Sequence, residues 1–343
     1  MTERILVAMS GGVDSSVAAA LLLEAGHEVV GATLKLWGGE SDSGCCSVAD
    51  VDDARSVARR LDIEHHTFSF GDDFDEHVVA PYLSDHAAGR TPNPCIECNR
   101  HLKFDRLLRR ADALGFEAVA TGHHARIIER VDGTRRVARG ADAAKDQSYV
   151  VHMLDQATMA RVRFPVGHLA KIDVRAEAAR LGLATADKPD SQDVCFITAT
   201  GGRRAFLEPR LATHPGTVVD GAGTTVGGVA AVELVTIGQR HGLGLPGGTQ
   251  PRYVVGVDVP SATVTVGDRA DLLIDQVELD HLAWVAGPIG GTLAAQTSAH
   301  GAPRACRAED DVVRFDEPTR RVAPGQSVVL YAGDEVVGGG IAR

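Results

Sequence analysis

The sequence contains few aromatic residues and no long apolar run. The first shortage favours layered α/β packing, and the second excludes a protein that spans a membrane through a helix. Phe, Trp and Tyr make up 4% of the 343 residues, whereas Ala, Val and Leu dominate, a composition that suits layered α/β packing. Because no stretch of about 18 apolar residues occurs, we expect no membrane-spanning helix. The N-terminus, MTERILV, is too polar for a signal peptide. We therefore expect a soluble, cytoplasmic protein that has no membrane partner.

Charge is distributed unevenly along the chain, although its net value is −11. Residues 1–90 carry 6 Lys/Arg against 16 Asp/Glu, residues 91–210 carry 20 against 15, and residues 211–343 carry 9 against 15. An acidic chain is a poor general binder of nucleic acid. The basic middle segment is compatible either with one polyanionic partner or with a solvated helix face.

Cysteine is also sparse. The six cysteines lie at positions 45, 46, 95, 98, 195 and 306. In a cytoplasmic chain such a set does not form a disulfide framework, because the compartment keeps thiols reduced. Metal-binding, redox and catalytic roles are therefore considered first.

A loop rich in glycine and serine follows the first apolar segment. The stretch LVAMSGGVDSS, residues 6–16, joins a short buried strand to a helix that ends near Gly26. Backbone N–H groups and the positive end of the helix dipole favour an anion there, and Gly11 and Gly12 let the backbone approach a phosphate. No Gly-Lys pair occurs in the chain, which excludes a Walker phosphate loop and its lysine. An ordinary turn before a helix is the alternative.

Strand-like and helix-like patterns alternate over the first 200 residues. EVVGATLKL, EHHTFSF and FEAVATGHHA have strand patterns, and SVADVDDARSVARRLDI, residues 72–88 and RHLKFDRLLRRADALG have helical spacing. This alternation predicts a parallel sheet with helices on both faces, in which ligands bind beyond the carboxyl ends of the strands. After about residue 200, valine, glycine and turn signals predict a small linking domain and then a C-terminal β-barrel or sandwich.

The glycine loop resembles the SGGxDS loop of ATP pyrophosphatases, which split ATP into AMP and pyrophosphate to activate an oxygen. Six further stretches resemble, in order, blocks of the tRNA-specific 2-thiouridylase family: GRTPNPCIECNRHLKF, ATGHHARI, KDQSYVV, KPDSQDVCFI, TIGQRHGLG and FDEPTRRVAPGQSVVLY. The resemblance spans residues 4–343. It implies an adenine nucleotide α-hydrolase-like catalytic domain over residues 1–200, a small tRNA-contacting domain over 201–272 and a C-terminal β-barrel-like domain over 273–343.

The resemblance implies ATP-dependent 2-thiolation of the wobble uridine in the tRNAs for lysine, glutamate and glutamine. ATP, with Mg²⁺, would adenylate the C2 oxygen and so convert it into a leaving group, which a cysteine persulfide then displaces as AMP. The products would be 2-thiouridine, AMP and pyrophosphate. A cysteine desulfurase or another persulfide donor is the implied protein partner.

Matching motif positions imply the site residues. Cys98 takes the position of the family's nucleophile and Cys195 that of its persulfide-bearing cysteine. Asp14 is expected to hold Mg²⁺ or to orient the loop. The implied ATP-binding residues are Ala8, Met9, Ser10, Gly11, Gly12, Val13, Asp14, Ser15, Leu34 and Gly122. The implied tRNA-binding residues are Asn93, Pro94, Cys95, Lys145, Asp146 and Gln147, and the basic residues expected to attract tRNA are Arg100, Lys103, Arg106, Arg109 and Arg110.

The sequence departs from the family pattern in two places. Cys95 stands where many members carry aspartate, which creates a C-x-x-C motif with Cys98. Cys95 is then either a bystander beside a persulfide relay or, with Cys98 and Cys195, a ligand of a [4Fe-4S] cluster that has one iron open to sulfide. The segment SAH at 298–300 replaces much of a basic block, which weakens the expectation that the C-terminal domain contacts tRNA.

Two other functions fit part of the sequence. An amide-forming synthetase of the same superfamily would need ammonia and no cysteine at position 195, so it should stay active as Cys195→Ser. A zinc-ribbon-like nucleic-acid-binding module would use the cysteines of SGCCS and of the C-x-x-C, although an adjacent pair fits zinc spacing poorly. Otherwise Cys45 and Cys46 are expected to be structural and Cys306 incidental.

Overall fold

The chain divides into two units. The computed structural model describes residues 2–36, 48–190, 194–246 and 250–343. The first unit comprises residues 1–79, 94–202 and 334–336, and the second comprises 80–93, 203–333 and 337–343. Among the described helices, none combines the length and the apolar composition needed to cross a membrane.

A parallel sheet forms the centre of the first unit. Its strands are β1 (Arg4–Ala8), β2 (Glu28–Lys35), β3 (His65–Ser69), β4 (Ala118–Thr121) and, further along the chain, β7 (Val162–Arg163). They lie in the order β3-β2-β1-β4-β7, and neighbouring strands are parallel. The central strand β1 has a continuous apolar run because it is covered on both faces, as in other parallel sheets.

Helices connect these strands and pack on the sheet. Those of the first unit are α1 (Val13–Glu24), α2 (Val48–Arg60), α3 (Gly71–Phe74), α5 (Pro94–Glu97), α6 (Leu107–Ala113), α7 (Gln156–Arg161), α8 (Lys171–Arg180) and α9 (Cys195–Ala199); α4 (Ala80–Ala87) and α10 (Arg203–Leu207) belong to the second unit. Helix α1 packs on the sheet and on α8, so most of it is buried. Its alanines at 18–20 allow this close packing.

Within the described residues, two helical stretches widen into π-helical hydrogen bonding. Helix α3 continues as a π-helical segment over Asp75–Val79, and α5 continues as one over Cys98–Arg106 that runs into α6. The sequence pattern predicts this second helix only from Arg100, after a break. The helix begins earlier, at Pro94, because proline is tolerated in a first turn whose N–H groups have no helical partner.

A hairpin extends the first unit beyond the parallel sheet. It consists of β5 (Ala125–Glu129) and β6 (Arg135–Arg139), which are antiparallel. In the turn, the Asp132 carboxylate accepts hydrogen bonds from both the N–H and the hydroxyl of Thr134. Residue Glu335 pairs with Ala138 and contacts the Arg130 guanidinium at 2.9 Å.

Antiparallel strands dominate the described part of the second unit. The strands are β8 (Gly216–Val219), β9 (Thr225–Val229), β10 (Tyr253–Asp258), β11 (Thr263–Gly267), β12 (Leu273–Glu278), β13 (Ala283–Trp284), β14 (Leu293–Gln296), β15 (Arg304–Glu309), β16 (Val312–Arg320), β17 (Ser327–Ala332) and β18 (Glu335–Ile341). One sheet has the order β10-β11-β8-β9, and another has the order β12-β16-β15-β14-β17-β18, with β13 paired to β18. Each encloses its own core of valine and leucine. The predicted fold, a parallel sheet with helices followed by a small domain and a barrel-like antiparallel sheet, is confirmed.

Candidate active site

Loop residues 9–12 connect the end of β1 to the start of α1, and local hydrogen bonds fix their shape. The N–H of Ser10 donates to the hydroxyl of Ser15 at 3.2 Å. The hydroxyls of Ser15 and Ser16 both donate to the carbonyl of Gly12, at 3.1 and 2.8 Å. These contacts leave Ser10 as the exposed serine of the loop.

Glycine is required more strictly at one loop position than at the other. Gly11 has φ +73°, and a Cβ there would lie 2.3 Å from the carbonyl oxygen of Asp50. Gly12 has φ −94° and ψ 165°, a conformation that any residue can adopt. At Gly122, beyond the end of β4, a Cβ would lie 2.5 Å from the backbone nitrogen of Ser15. The glycine loop and Gly122, both predicted to bind ATP, therefore lie against each other.

Asp14, in the first turn of α1, binds a lysine and a histidine. Each of its carboxylate oxygens lies 2.7 Å from the Lys171 Nζ, and Oδ1 lies 3.1 Å from the Nε2 of His124. Burial raises the pKa of Asp14, but the hydrogen bonds from His124 and Lys171 outweigh burial and hold this pKa below its ordinary value. Since the protein itself engages this carboxylate, its geometry favours orienting the loop over holding Mg²⁺.

Lys188 contacts the glycine loop from a distant part of the chain. Its Nζ donates to the Gly11 carbonyl at 3.0 Å and lies 2.7 Å from a carboxylate oxygen of Asp50 and 2.6 Å from one of Asp53. Burial lowers the pKa of Lys188, but its bonds to the two aspartates outweigh burial and raise this pKa, so the side chain is charged. Lys188 thus places an ammonium group against the glycine loop, whose own sequence contains no lysine.

Asp190 joins a second set of cations to the same region. Its carboxylate lies 2.8 Å from the Nζ of Lys145, 3.0 Å from that of Lys171 and 2.6 Å from the Arg175 guanidinium. Burial raises the pKa of Asp190, but the two lysines outweigh burial and hold it well below its ordinary value. Cys195 follows five residues later, and five residues span at most about 18 Å. Lys188 and Asp190, seven and five residues before Cys195, are therefore anchored near the glycine loop.

Sequence reasoning missed Lys171 and Lys188, although composition contains a signal for them. The chain has only five lysines against 30 arginines, at positions 35, 103, 145, 171 and 188. In the described part of the chain, three of the five lie in this cluster. A lysine is a compact point charge that arginine does not replace well. The rare lysines of an arginine-rich chain therefore indicate positions that need such a charge.

The predicted tRNA-binding segment KDQ, residues 145–147, is held by contacts within the first unit. The Asp146 carboxylate pairs with Arg139 at 2.7 Å and accepts the N–H of Ser148 at 3.0 Å. The Gln147 side-chain oxygen accepts the N–H of His124 at 2.9 Å. Asp146 and Gln147 therefore shape this loop, and contact with tRNA stays a prediction for them.

Apolar residues predicted to bind the nucleotide lie behind the glycine loop. Met9, Val13 and Leu34 are all buried, whereas Ala8 at the end of β1 is half-buried. Next to Leu34, the hydroxyl of Thr33 donates to the Met9 carbonyl at 2.7 Å. These residues hold the loop on the edge of the sheet.

The backbone brings Cys95 beside the segment that carries Cys195. The N–H of Val194 donates to the Sγ of Cys95 at 3.3 Å, and the next residue, Cys195, begins α9. Val194 has φ +51°, an unfavourable conformation for a β-branched residue. Cys98 lies three residues beyond Cys95, at the start of the π-helical segment, and all three cysteines are half-buried. π-helical segments are frequent at functional sites.

The cysteines in the described part of the chain do not form a metal-binding cluster. Across the described residues, no group of three or more His, Cys, Asp or Glu side chains is arranged to hold a metal ion. Cys306 is buried on β15, and burial raises the pKa of its thiol to about 11, with the Asp316 charge adding to the effect. Such a thiol is unreactive. Cys45 and Cys46 lie outside the described residues.

Several basic residues of the middle segment are engaged within the first unit. The Arg106 Nε donates to Asp73 at 2.7 Å, and the Arg110 guanidinium lies 5.2 Å from the ring centroid of Phe68. Arg109 is the most accessible of those in ion pairs, with 67% of its side chain exposed beside Asp105. Arg109 is therefore better placed than Arg106 to meet a polyanion.

The predicted target-base segment crosses the boundary between the units. Asn93 is the last residue of its stretch in the second unit. Pro94 is buried and begins α5 in the first unit. The role of both residues near the target base stays a prediction.

Three family models match the chain in succession. Their descriptions are tRNA methyl transferase HUP domain for residues 3–199, tRNA methyl transferase PRC-barrel domain for residues 204–268 and Aminomethyltransferase beta-barrel domain for residues 275–342. Together they account for nearly the whole chain.

Curated relatives are similar over almost the full length. The tRNA-specific 2-thiouridylase MnmA of Thermobifida fusca is 45% identical over 98% of this chain and 95% of its own length. The protein of the same name from Streptomyces coelicolor is 46% identical over 98% of this chain and 93% of its own. The one from Mycolicibacterium gilvum is 46% identical over 99% of both chains.

Proposed function

Because the chain belongs to the tRNA-specific 2-thiouridylase family, we propose that it replaces the C2 oxygen of a tRNA wobble uridine with sulfur and releases AMP and pyrophosphate. The substrates are the tRNAs for lysine, glutamate and glutamine, and a cysteine desulfurase or another persulfide donor supplies the sulfur. One observation carries the proposal: Lys188, seven residues before Cys195, lies against the glycine loop, where its Nζ donates to the Gly11 carbonyl at 3.0 Å. This contact couples nucleotide binding to the sulfur-bearing cysteine.

Adenylation is the first step. The uridine C2 oxygen attacks the α-phosphorus of ATP, which enters with Mg²⁺ as its substrate complex, and the bond to pyrophosphate breaks. Lys188 and Lys171 exchange aspartate partners for phosphate oxygens and stabilise the charge that develops on the leaving pyrophosphate. The loop N–H groups at the start of α1 bind the same anion.

Sulfur transfer is the second step. The terminal sulfur of a Cys195 persulfide attacks C2, and the bond to the adenylate oxygen breaks, so that AMP leaves with its electron pair. The Cys98 thiolate then attacks the Cys195 sulfur, and the 2-thiouridine sulfur leaves with the electron pair of the broken S–S bond. A disulfide between Cys98 and Cys195 remains, which a thiol reductant must open before the next turnover.

We propose this relay in preference to an iron–sulfur cluster. The three cysteines would be the ligands of a [4Fe-4S] cluster. The Sγ of Cys95 instead accepts a backbone hydrogen bond from Val194. In the proposed reaction Cys95 therefore positions Val194, the residue before Cys195.

We also propose the domain division 1–200, 201–272 and 273–343. The successive ranges of the three family models support it. The first domain would carry the chemistry and the second would contact tRNA.

Mass spectrometry of nucleosides tests the function directly. Unmodified tRNA incubated with the protein, ATP and a persulfide donor should yield 2-thiouridine. Cys195→Ser should abolish thiolation while pyrophosphate release continues, and the matched control Cys306→Ser should behave as wild type. A methylated uridine, as the family-model descriptions would suggest, or full thiolation by Cys195→Ser would contradict the proposal.

Two further variants separate the steps. Lys188→Met should slow pyrophosphate release at least tenfold, because a hydrogen bond from a charged group contributes about 1.5–3 kcal/mol. Cys95→Ser, purified anaerobically, should stay colourless and active. A brown wild-type protein whose visible absorbance and activity are both lost in Cys95→Ser would establish the cluster instead.

A further inference from the structure

The TIGQRHGLG segment has no part in the chemistry above, and in the second unit it lines a cavity of about 610 Å³. Residues 236–239 and 241–242 form one wall, and Arg203, Arg204 and Arg320 contribute to the others. The volume lies within the range of ligand-binding sites in proteins.

Residues 234–238, at the start of this segment and just before it, hold two of the arginines in place. The Arg203 guanidinium donates to the Leu234 carbonyl at 2.9 Å and to the hydroxyl of Thr236. The Arg320 guanidinium donates to the Gly238 carbonyl at 3.2 Å. Gly238 has φ +81°, a conformation that favours glycine, and a Cβ there would lie 2.5 Å from Nη2 of Arg320, so the guanidinium would have to move aside. The guanidinium groups are thus preorganised by the turn.

The cavity is positive within an acidic unit. The second unit contains 13 arginines, no lysine and 15 Asp/Glu. Besides the three arginines, His241 and Gln239 line the cavity, and among the described lining residues there is no carboxylate. Arg204 forms an ion pair with Glu208 at 3.1 Å, and both side chains are at least half exposed. Exposed ion pairs of this kind contribute little to the stability of a protein, so Arg204 can exchange this partner for another anion.

We propose that this cavity binds phosphodiester groups of the tRNA backbone. Guanidinium groups bind phosphate through paired N–H donors, and arginine is the better residue where those donors have fixed positions. Each guanidinium has five N–H groups, of which the bonds to the turn use two in Arg203 and one in Arg320. The proposal rests on tRNA being the substrate, and it gives the TIGQRHGLG segment a binding role separate from the chemistry.

Matched arginine variants test the cavity. Arg320 and Arg314 both lie on β16 and are exposed, but Arg314 is bonded to Gln276 and does not line the cavity. In filter binding over a range of KCl concentrations, Arg320→Gln should weaken tRNA binding roughly 3–10-fold and lower the slope of log Kd against log salt by about one. Arg314→Gln should match wild type. Equal effects of the two variants would overturn the proposal.

A second variant and a second readout complete the test. If Arg320→Gln does not fold, Arg204→Gln, which loses only an exposed ion pair, should weaken tRNA binding in the same direction, and no change there would also overturn the proposal. In thiolation assays Arg320→Gln should raise KM for tRNA and leave kcat unchanged. If the wild type binds tRNA but does not thiolate it, the proposed reaction is contradicted and the tRNA site is not. Oligoglutamate serves as a polyanion without phosphate: if Arg320→Gln weakens binding of oligoglutamate but not of tRNA, the tRNA site is refuted.

Discussion

The two units hold their functional cations in different ways. In the first unit, Lys171 is 11% exposed and lies between the carboxylates of Asp14 and Asp190. In the second unit, Arg203 and Arg320 are held by backbone carbonyls. The ammonium group of a lysine can change partners by a small movement, whereas a guanidinium group that is hydrogen-bonded to backbone carbonyls presents its remaining N–H donors in fixed positions. The difference would suit the two ligands proposed above, a transient pyrophosphate in the first unit and the tRNA backbone in the second.

The largest effect is expected at Gly11, in the glycine loop near which Lys171 and Lys188 lie. Gly11→Ala should reduce pyrophosphate release about 100-fold, because the added Cβ would displace the loop and small misplacements have such effects. The left-handed conformation alone costs a non-glycine residue about 1–2 kcal/mol. Gly12→Ala is the matched control and should retain most activity, since its φ of −94° suits alanine. If both variants behave alike, Gly11 does not have the special role assigned here.

The lysine–aspartate cluster should also stabilise the first unit. Lys171→Met leaves two carboxylates without their buried cation and should lower the free energy of unfolding by about 2 kcal/mol, less than for a fully buried pair because Asp14 and Asp190 are partly exposed. Lys145→Met removes a more exposed partner of the same Asp190 and should cost at most about 1 kcal/mol. Urea unfolding measures both. Similar losses for the two variants would mean that burial does not distinguish these lysines.

The smallest effect concerns pH and the second unit. Burial lowers the pKa of His86 to about 4, and the charge of Arg203 acts in the same direction. The ordinary pKa of histidine is 6.5. Between pH 6.5 and about pH 4, His86 therefore binds a proton in the unfolded chain but not in the native protein. Its contribution to stability is therefore complete above pH 6.5 and is lost as the pH falls towards 4.

Unfolding measured at pH 7, 6 and 5 checks this contribution. His86→Phe should reduce the dependence of stability on pH by up to about 1.4 kcal/mol per pH unit. The same dependence in His86→Phe and wild type would assign the effect to other groups. Asp14 in the first unit behaves differently, because its lowered pKa preserves its contribution until the pH falls below the ordinary 3.8.

The elements of the first unit were largely predictable, and the exceptions have physical reasons. Strand β1 and helix α1 were visible because consecutive residues determine their apolar pattern and the positive φ of Gly26 ends the helix. The helix from Pro94 was missed because its N-P-C sequence resembles a turn. In the second unit the strands were predicted only as a class, since pairing such as that of β8 with β11 joins strands distant in sequence.

The sequence by itself determined the glycine loop, the alternation of strands and helices, and which cysteines match a sulfur-transfer pattern, because short-range geometry or motif position specifies each of them. Only the tertiary structure decided which charges surround that loop. Lys171 and Lys188 lie 157 and 177 residues from their partners Asp14 and Gly11. The order of the parallel strands brings such segments to one edge of the sheet, and no local preference encodes that order. Contacts between residues distant in sequence also place Val194 against Cys95, 99 residues away, and the TIGQRHGLG turn against Arg320.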